Sequence, residues 1–197
     1  MRRNIYLVGV LILTGQALAG YDYVISEGYV DLPVLTGQQS LLMTGRGGGP
    51  SLDMLDESRA DICGTSPLLP GRGGIWMIHQ FADSGLNVSG GEIGHISVGA
   101  YAHARFSGGA IGNLWSLQGI GSPDPHIEVV CREWNWEEAT NFLTGIWEDR
   151  TAFTIMLHDT AGYDPVIDNI KFTIIPEPAS LAVFGMGAVL AARRRRV

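Results

Sequence analysis

Apolar and polar residues alternate along short stretches of this chain, and glycine ends each stretch. From Asp83 the sequence reads Asp83-Ser84-Gly85-Leu86-Asn87-Val88-Ser89-Gly90, then Gly91-Glu92-Ile93-Gly94-His95-Ile96. On a strand, that alternation places Leu86 and Val88 on one face. Eighteen residues later the pattern returns as Tyr101–Gly108 followed by Gly109–Leu114. Ser-Gly-Gly-x-Ile-Gly is identical in the two copies, Ser89–Gly94 and Ser107–Gly112. One step upstream, Gly71–Ile78 aligns with Ser89–Ile96 at the same offset, with Gly73, Ile75 and Ile78 matching Gly91, Ile93 and Ile96. Glu57–Gly64 carries the arm of the repeat at an offset of 26, and the eight extra residues fall in Thr65–Arg72, read as an inserted loop.

Strands this short cannot bury a face alone, so repetition about every 18 residues predicts stacked coils. Val88, Phe106, Ile93 and Ile111 are then inward residues that form apolar ladders between coils. Gly90-Gly91 and Gly108-Gly109 supply the positive φ of a sharp corner. The expected fold is all-β: a short parallel β-solenoid of about 18-residue coils, with its repeat core at about 50–118 and a C-terminal β cap over 126–175. The alternative is a β-sandwich or jelly roll whose hairpins share turn residues. Tyr21–Met43 reads as leading strands. Ile127–Val130, Thr151–Leu157 and Ile167–Ile175 read as longer strands that cover the open end. Glu133–Thr144 is the one weak helix candidate.

The two ends are of a different kind. Arg2-Arg3, the apolar Ile5–Leu13 and Ala17-Leu18-Ala19 form a signal peptide over residues 1–19, with the mature chain starting at Gly20. At the other end, Pro176-Glu177-Pro178 precedes an uncharged apolar run at 179–192 and then Arg193, Arg194, Arg195 and Arg196. As a helix that 14-residue run is about 21 Å long. A hydrocarbon core is about 30 Å, so the run spans only with help from its flanks. The four arginines hold their end in the cytoplasm. Two prolines keep Pro176–Pro178 extended at the membrane edge, where a membrane-embedded processing enzyme can bind it.

This tail resembles the PEP-CTERM sorting signal of bacterial exported proteins over roughly Ile175–Val197. The resemblance implies an exosortase-type processing enzyme as partner and transient insertion in the cytoplasmic membrane. It also implies delivery to the cell surface, outer membrane or exterior, and association with extracellular polymer. Asp168–Phe172 likewise resembles the closing strand common in this exported class.

Between the ends lie 156 residues, enough for one domain with a core. They hold seven basic residues, the 13 of the chain less the six at its ends, against 19 acidic ones, a net charge of −12. Such a surface repels nucleic acid, which is not expected as a partner. Cys63 and Cys131 are read as a candidate disulfide, since export permits one. Cys63 also fills a small-residue slot of the repeat, which favours a buried free thiol instead.

The chemistry on offer is sparse. His79, His95, His103, His126 and His158 show no zinc-ligand spacing and read as surface or turn residues. No Gly-x-Ser-x-Gly elbow occurs. The acidic groups Asp53/Asp56/Glu57, Glu137-Glu138 and Glu148-Asp149 have no spacing that distinguishes them from a solvated acidic surface. Gly45–Pro50 lacks the Lys-Ser/Thr of a phosphate loop and reads as a flexible turn. No catalytic residue, metal site or cofactor is therefore expected. Trp134 and Trp136 alternate, so on a strand they share one face and form either a sugar-stacking platform or part of a buried aromatic cap. The reading is a non-catalytic surface or matrix protein. A carbohydrate-binding module is the alternative, and a glycan-cleaving enzyme is the third reading.

Overall fold

The computed structural model describes residues 20–65, 67, 74–120 and 126–176. The signal peptide, most of the Thr65–Arg72 insertion, and the tail from Glu177 onward lie outside the described residues. The strands are β1 (Tyr23–Tyr29), β2 (Val34–Leu35), β3 (Ser40–Met54), β4 (Arg59–Ile62), β5 (Ile75–Gln80), β6 (Gly85–Val98), β7 (His103–Ser116), β8 (Ile127–Glu137), β9 (Phe142–Trp147), β10 (Ala152–His158) and β11 (Ile170–Ile174). Among the described residues the single helical segment is a 3-10 turn at Val166–Asn169. The all-β expectation stands.

The offsets seen in the sequence set the pairing. β6 and β7 run parallel with Val88 beside Phe106 and Ile93 beside Ile111. β5 and β6 are parallel with Ile75 beside Ile93. β4 joins β6 at the 26-residue offset, Ile62 beside Val88. Parallel pairing continues from β1 through β3, β4, β6, β7 and β8 to β11. The second halves of β3, β6 and β7 form another parallel set, with β2 and β5 beside β3 and with β10 beside β7. β8, β9 and β10 are joined antiparallel.

Each of the long strands β6 and β7 thus turns a corner between two ladders. The paired glycines divide the work there. Gly91 and Gly109 take φ of +88° and +89°, a region that disfavours any Cβ. Gly90 and Gly108 have ordinary φ but no room: a Cβ on either would lie 2.4 Å from a neighbouring carbonyl oxygen, that of Cys63 or Ser89.

Inward residues of successive strands meet as rungs. Met43, Ile62, Val88, Phe106 and Val129 form one such row, each 0% exposed. Burying a side chain of this kind contributes about 1.5–3 kcal/mol. Leu143, Trp147 and Ile155 from β9 and β10 join the same core, and Trp147 donates its indole N–H to the Gly109 carbonyl at 2.9 Å.

Three expectations are corrected. Glu133–Thr144 is not helical: it is the end of β8, a turn through Asn141 at φ +56°, and the start of β9. Antiparallel pairing of Trp134 with Gly145 and Trp136 with Leu143 outweighs weak helix propensity. Gly45–Pro50 is not a flexible turn but lies within β3. Only Gly45 is a corner, at φ +65°. Gly47, Gly48 and Gly49 are there because β1, Gly74 and Leu32 press on the backbone. His126 is buried rather than at the surface.

Candidate functional site

The described body ends where the tail signal begins. The Ile175 backbone N–H donates to the Cys131 carbonyl at 2.9 Å. Pro176 follows at once and is exposed. Glu177, Pro178, Arg193, Arg194, Arg195, Arg196 and the 179–192 segment lie outside the described residues. Among the described residues no helix is long and apolar enough to cross a membrane.

Cys63 and Cys131 are free thiols, Cys63 exposed after β4 and Cys131 buried in β8. The small-residue slot therefore does not bury Cys63. Its side chain turns outward at the corner, while Gly90 packs on its carbonyl. Burial pushes the Cys131 thiol pKa up.

Trp134 and Trp136 have unequal surroundings. Trp134 is 43% exposed and stacks flat on Phe172 of β11, with ring centroids 3.8 Å apart. One of its faces is thereby covered. Trp136 packs against the core and donates its indole N–H to Asn141 Oδ1 at 3.1 Å. A shallow groove of about 430 Å³ runs beside Trp134, with Glu133, Asn135, Thr144 and Thr154 along it.

Another concavity lies on the outer face of the first parallel set. It holds about 490 Å³ and is lined by Arg59, Asp61, Asn87, Arg105, Glu128 and Lys171, among others. Alternation turns these side chains outward while Ala60, Leu86 and Ala104 face the core. The register makes them a row: Asp61 beside Asn87, Asn87 beside Arg105, Arg105 beside Glu128, and Glu128 beside Lys171. Arg59 sits in the adjoining row, next to Gly85 and then His103.

The acids of this groove are tied down. Asp61 accepts from Asn87 Nδ2 at 3.1 Å and from the Tyr21 hydroxyl. That bond and the burial beside it push the Tyr21 pKa up to about 12. Glu128 accepts from Thr173 Oγ1 at 2.6 Å and pairs with Arg105 Nε at 3.3 Å. Sequence reasoning missed this groove. The repeat brought Asn87 and Arg105 into line, but Glu128 and Lys171 come from strands outside it.

A second row was also missed. On the other outer face, Trp76 meets His95 edge-on at 4.8 Å, His95 meets Trp115 at 5.5 Å, and Trp115 stacks flat on His158 at 4.2 Å. His158 Nε2 is 2.8 Å from Asn113 Oδ1. Burial lowers the His158 pKa, and the charge of His95 lowers it further. The only signal in the sequence was the shared slot of His95 and Asn113 in the repeat.

One serine–histidine contact exists inside. Ser116 Oγ lies 3.0 Å from His126 Nε2, and Asn169 Nδ2 donates to the same hydroxyl at 2.9 Å. Ser116 is 0% exposed and His126 5%, so substrate has no access to the hydroxyl. Burial first, and the charge of His103 second, lower the His126 pKa to about 4. Among the described residues no three His, Cys, Asp or Glu side chains come together as metal donors.

Comparison with known proteins places a match at the tail. No curated protein matches the chain, and no solved structure matches it. The sequence model of the PEP-CTERM protein-sorting motif matches residues 175–196, so this chain carries the signal of a protein that exosortase sorts to the cell surface.

Proposed function

We propose that the protein is a non-catalytic component of the cell surface or extracellular matrix, a rigid β body attached directly to its sorting signal. The observation that carries this reading is the junction. The motif begins at Ile175, whose N–H is already bonded into the sheet, with no spacer between body and signal. The body itself is read as a short solenoid with a C-terminal β cap. Parallel pairing at a fixed 18-residue offset favours that over a sandwich, which is built from antiparallel strands. The inaccessible Ser116–His126 pair favours a non-catalytic role.

The test is fractionation of the host cell. Glu177→Ala leaves uncleaved protein in the membrane fraction, and the wild-type body reaches the surface. Unchanged processing and location would mean a plain anchor. Turnover of any polysaccharide in a panel, abolished by one Asp or Glu substitution, would replace the non-catalytic reading with the enzymatic one.

A second reading is a carbohydrate-binding module at Trp134 and Trp136. It is favoured by the exposure of Trp134 above the polar groove of Glu133, Asn135, Thr144 and Thr154. Glycan-array binding that disappears in Trp134→Ala supports it, with Trp136→Ala expected to act through packing as well.

A further inference from the structure

We infer that the groove of Arg59, Arg105 and Lys171 is a binding site for an extended anionic polysaccharide, one with a carboxylate on at least every second sugar. The inference uses the surface destination of the chain but neither Trp134 nor Trp136.

Charge is the first argument. The body between the two end signals carries seven basic residues against 19 acidic ones. Three of those seven line one groove. Of their acidic neighbours, Glu128 pairs with Arg105 and Asp61 keeps its charge while accepting from Asn87 and Tyr21. Arg59 and Lys171 are exposed and make no ion pair among the described residues. The groove thus carries three cations against two carboxylates, a local net charge of +1 on a body of net −12, so a polyanion meets less repulsion there than the body's overall charge would impose.

Spacing is the second argument. Arg59 stands on β4 and Arg105 on β7, with β6 between them. Lys171 stands on β11, two strands beyond Arg105, with β8 between them. Neighbouring strands are about 4.8 Å apart, so successive cations are separated by about 10 Å across the strands, with Arg59 displaced about 7 Å along them from the row of Arg105 and Lys171. That interval is close to two sugar rings of an extended glycan. The intervening strands offer Asn87 and the Glu128–Thr173 pair as hydrogen-bonding groups for ring hydroxyls.

Room is the third argument. At the centre of the Arg59 row stands Gly85, where an added Cβ would meet only Arg59 Cγ at 3.8 Å. The missing side chain leaves a notch between Arg59 and His103 in the groove floor. The surface destination of the chain favours a polysaccharide over a nucleic acid, and the DNA arm of the test separates the two.

The test is affinity electrophoresis and calorimetry on the full chain in mild detergent, with polygalacturonate as probe and neutral dextran and single-stranded DNA as controls. Polygalacturonate is expected to retard the protein, more weakly as salt rises, while dextran does not. Arg59→Gln/Lys171→Gln is expected to lose at least about tenfold in affinity. Gly85→Phe keeps every charge, fills the notch, and is expected to weaken binding as well. Circular dichroism must show both variants folded. Asn87→Lys adds a cation to the row and is expected to tighten binding, which no loss of fold can imitate. Absence of retardation overturns the proposal. So does equal binding by dextran, tighter binding by DNA, or affinity unchanged in the charge variants or in Gly85→Phe. Because Trp134→Ala leaves this groove intact, its effect separates the two glycan readings.

Discussion

Ile93 lies beside Ile111 in neighbouring parallel strands, at the same position of two successive repeat units, and both are buried. Each fills the space its neighbour leaves, so the row acts as a packed column rather than as separate contacts. Ile93→Ala is expected to cost about 2–5 kcal/mol in a denaturant titration, and Ile111→Ala a similar amount. The double variant should depart from additivity by about 0.5–3 kcal/mol, because the two cavities merge. Strict additivity would mean the two side chains do not share a column.

The glycine corners make a sharper distinction. Gly109→Ala meets both a φ of +89° and the Gly91 carbonyl at 2.9 Å. Gly108→Ala meets only the Ser89 carbonyl, at 2.4 Å. Both should destabilise by more than about 1 kcal/mol, whereas Gly119→Ala, with nothing within 4 Å, should stay within about 0.5 kcal/mol. Thermal melts of the three variants check this. Equal melting temperatures would remove the account of the corners.

Acid should loosen the body through His126. Its pKa is about 4 in the folded chain against the ordinary 6.5, so the unfolded chain binds the proton more readily. The stability of burying this ring neutral is whole above pH 6.5 and is lost as pH falls from 6.5 to about 4. A shift of that size corresponds to about 3 kcal/mol at full loss. Urea midpoints at pH 7 and pH 4.5 should differ accordingly, and His126→Asn should flatten the difference. A wild-type midpoint constant over that interval contradicts the assignment.

The two thiols should differ in reactivity. Cys63 is exposed, whereas Cys131 is buried with its thiol pKa raised. A maleimide should therefore modify Cys63 in the native protein and Cys131 only after unfolding. Mass spectrometry of the alkylated peptides reads this directly, and a peptide joining Cys63 to Cys131 would restore the disulfide expectation.

What the sequence made legible was register. Identity between Ser89–Gly94 and Ser107–Gly112 implied parallel neighbours, and Val88 does lie beside Phe106. The offset between Ile62 and Val88 survived an insertion because the extra residues fall between β4 and β5 in the chain, and the β4–β6 ladder is unbroken. The groove was not legible, because Lys171 reaches it through the pairing of β11 with β8, which follows no repeat. The unequal Trp134 and Trp136 were hidden for the same reason: Phe172 comes from far along the chain to cover one ring. Alternation tells which way a side chain points, but not what a distant strand brings to it. At Gly45–Pro50 composition misled, because glycine served close backbone approach rather than freedom.

The bond from Ile175 to Cys131 limits where processing can fall. A scission within β11 would shorten that strand, and one before Lys171 would also strip Phe172 from beneath Trp134 and remove Lys171 from its row. A cut that leaves the body whole must come at Pro176 or later. An enzyme cutting at Pro176 itself would meet the edge of the sheet at once, one residue beyond its last backbone bond.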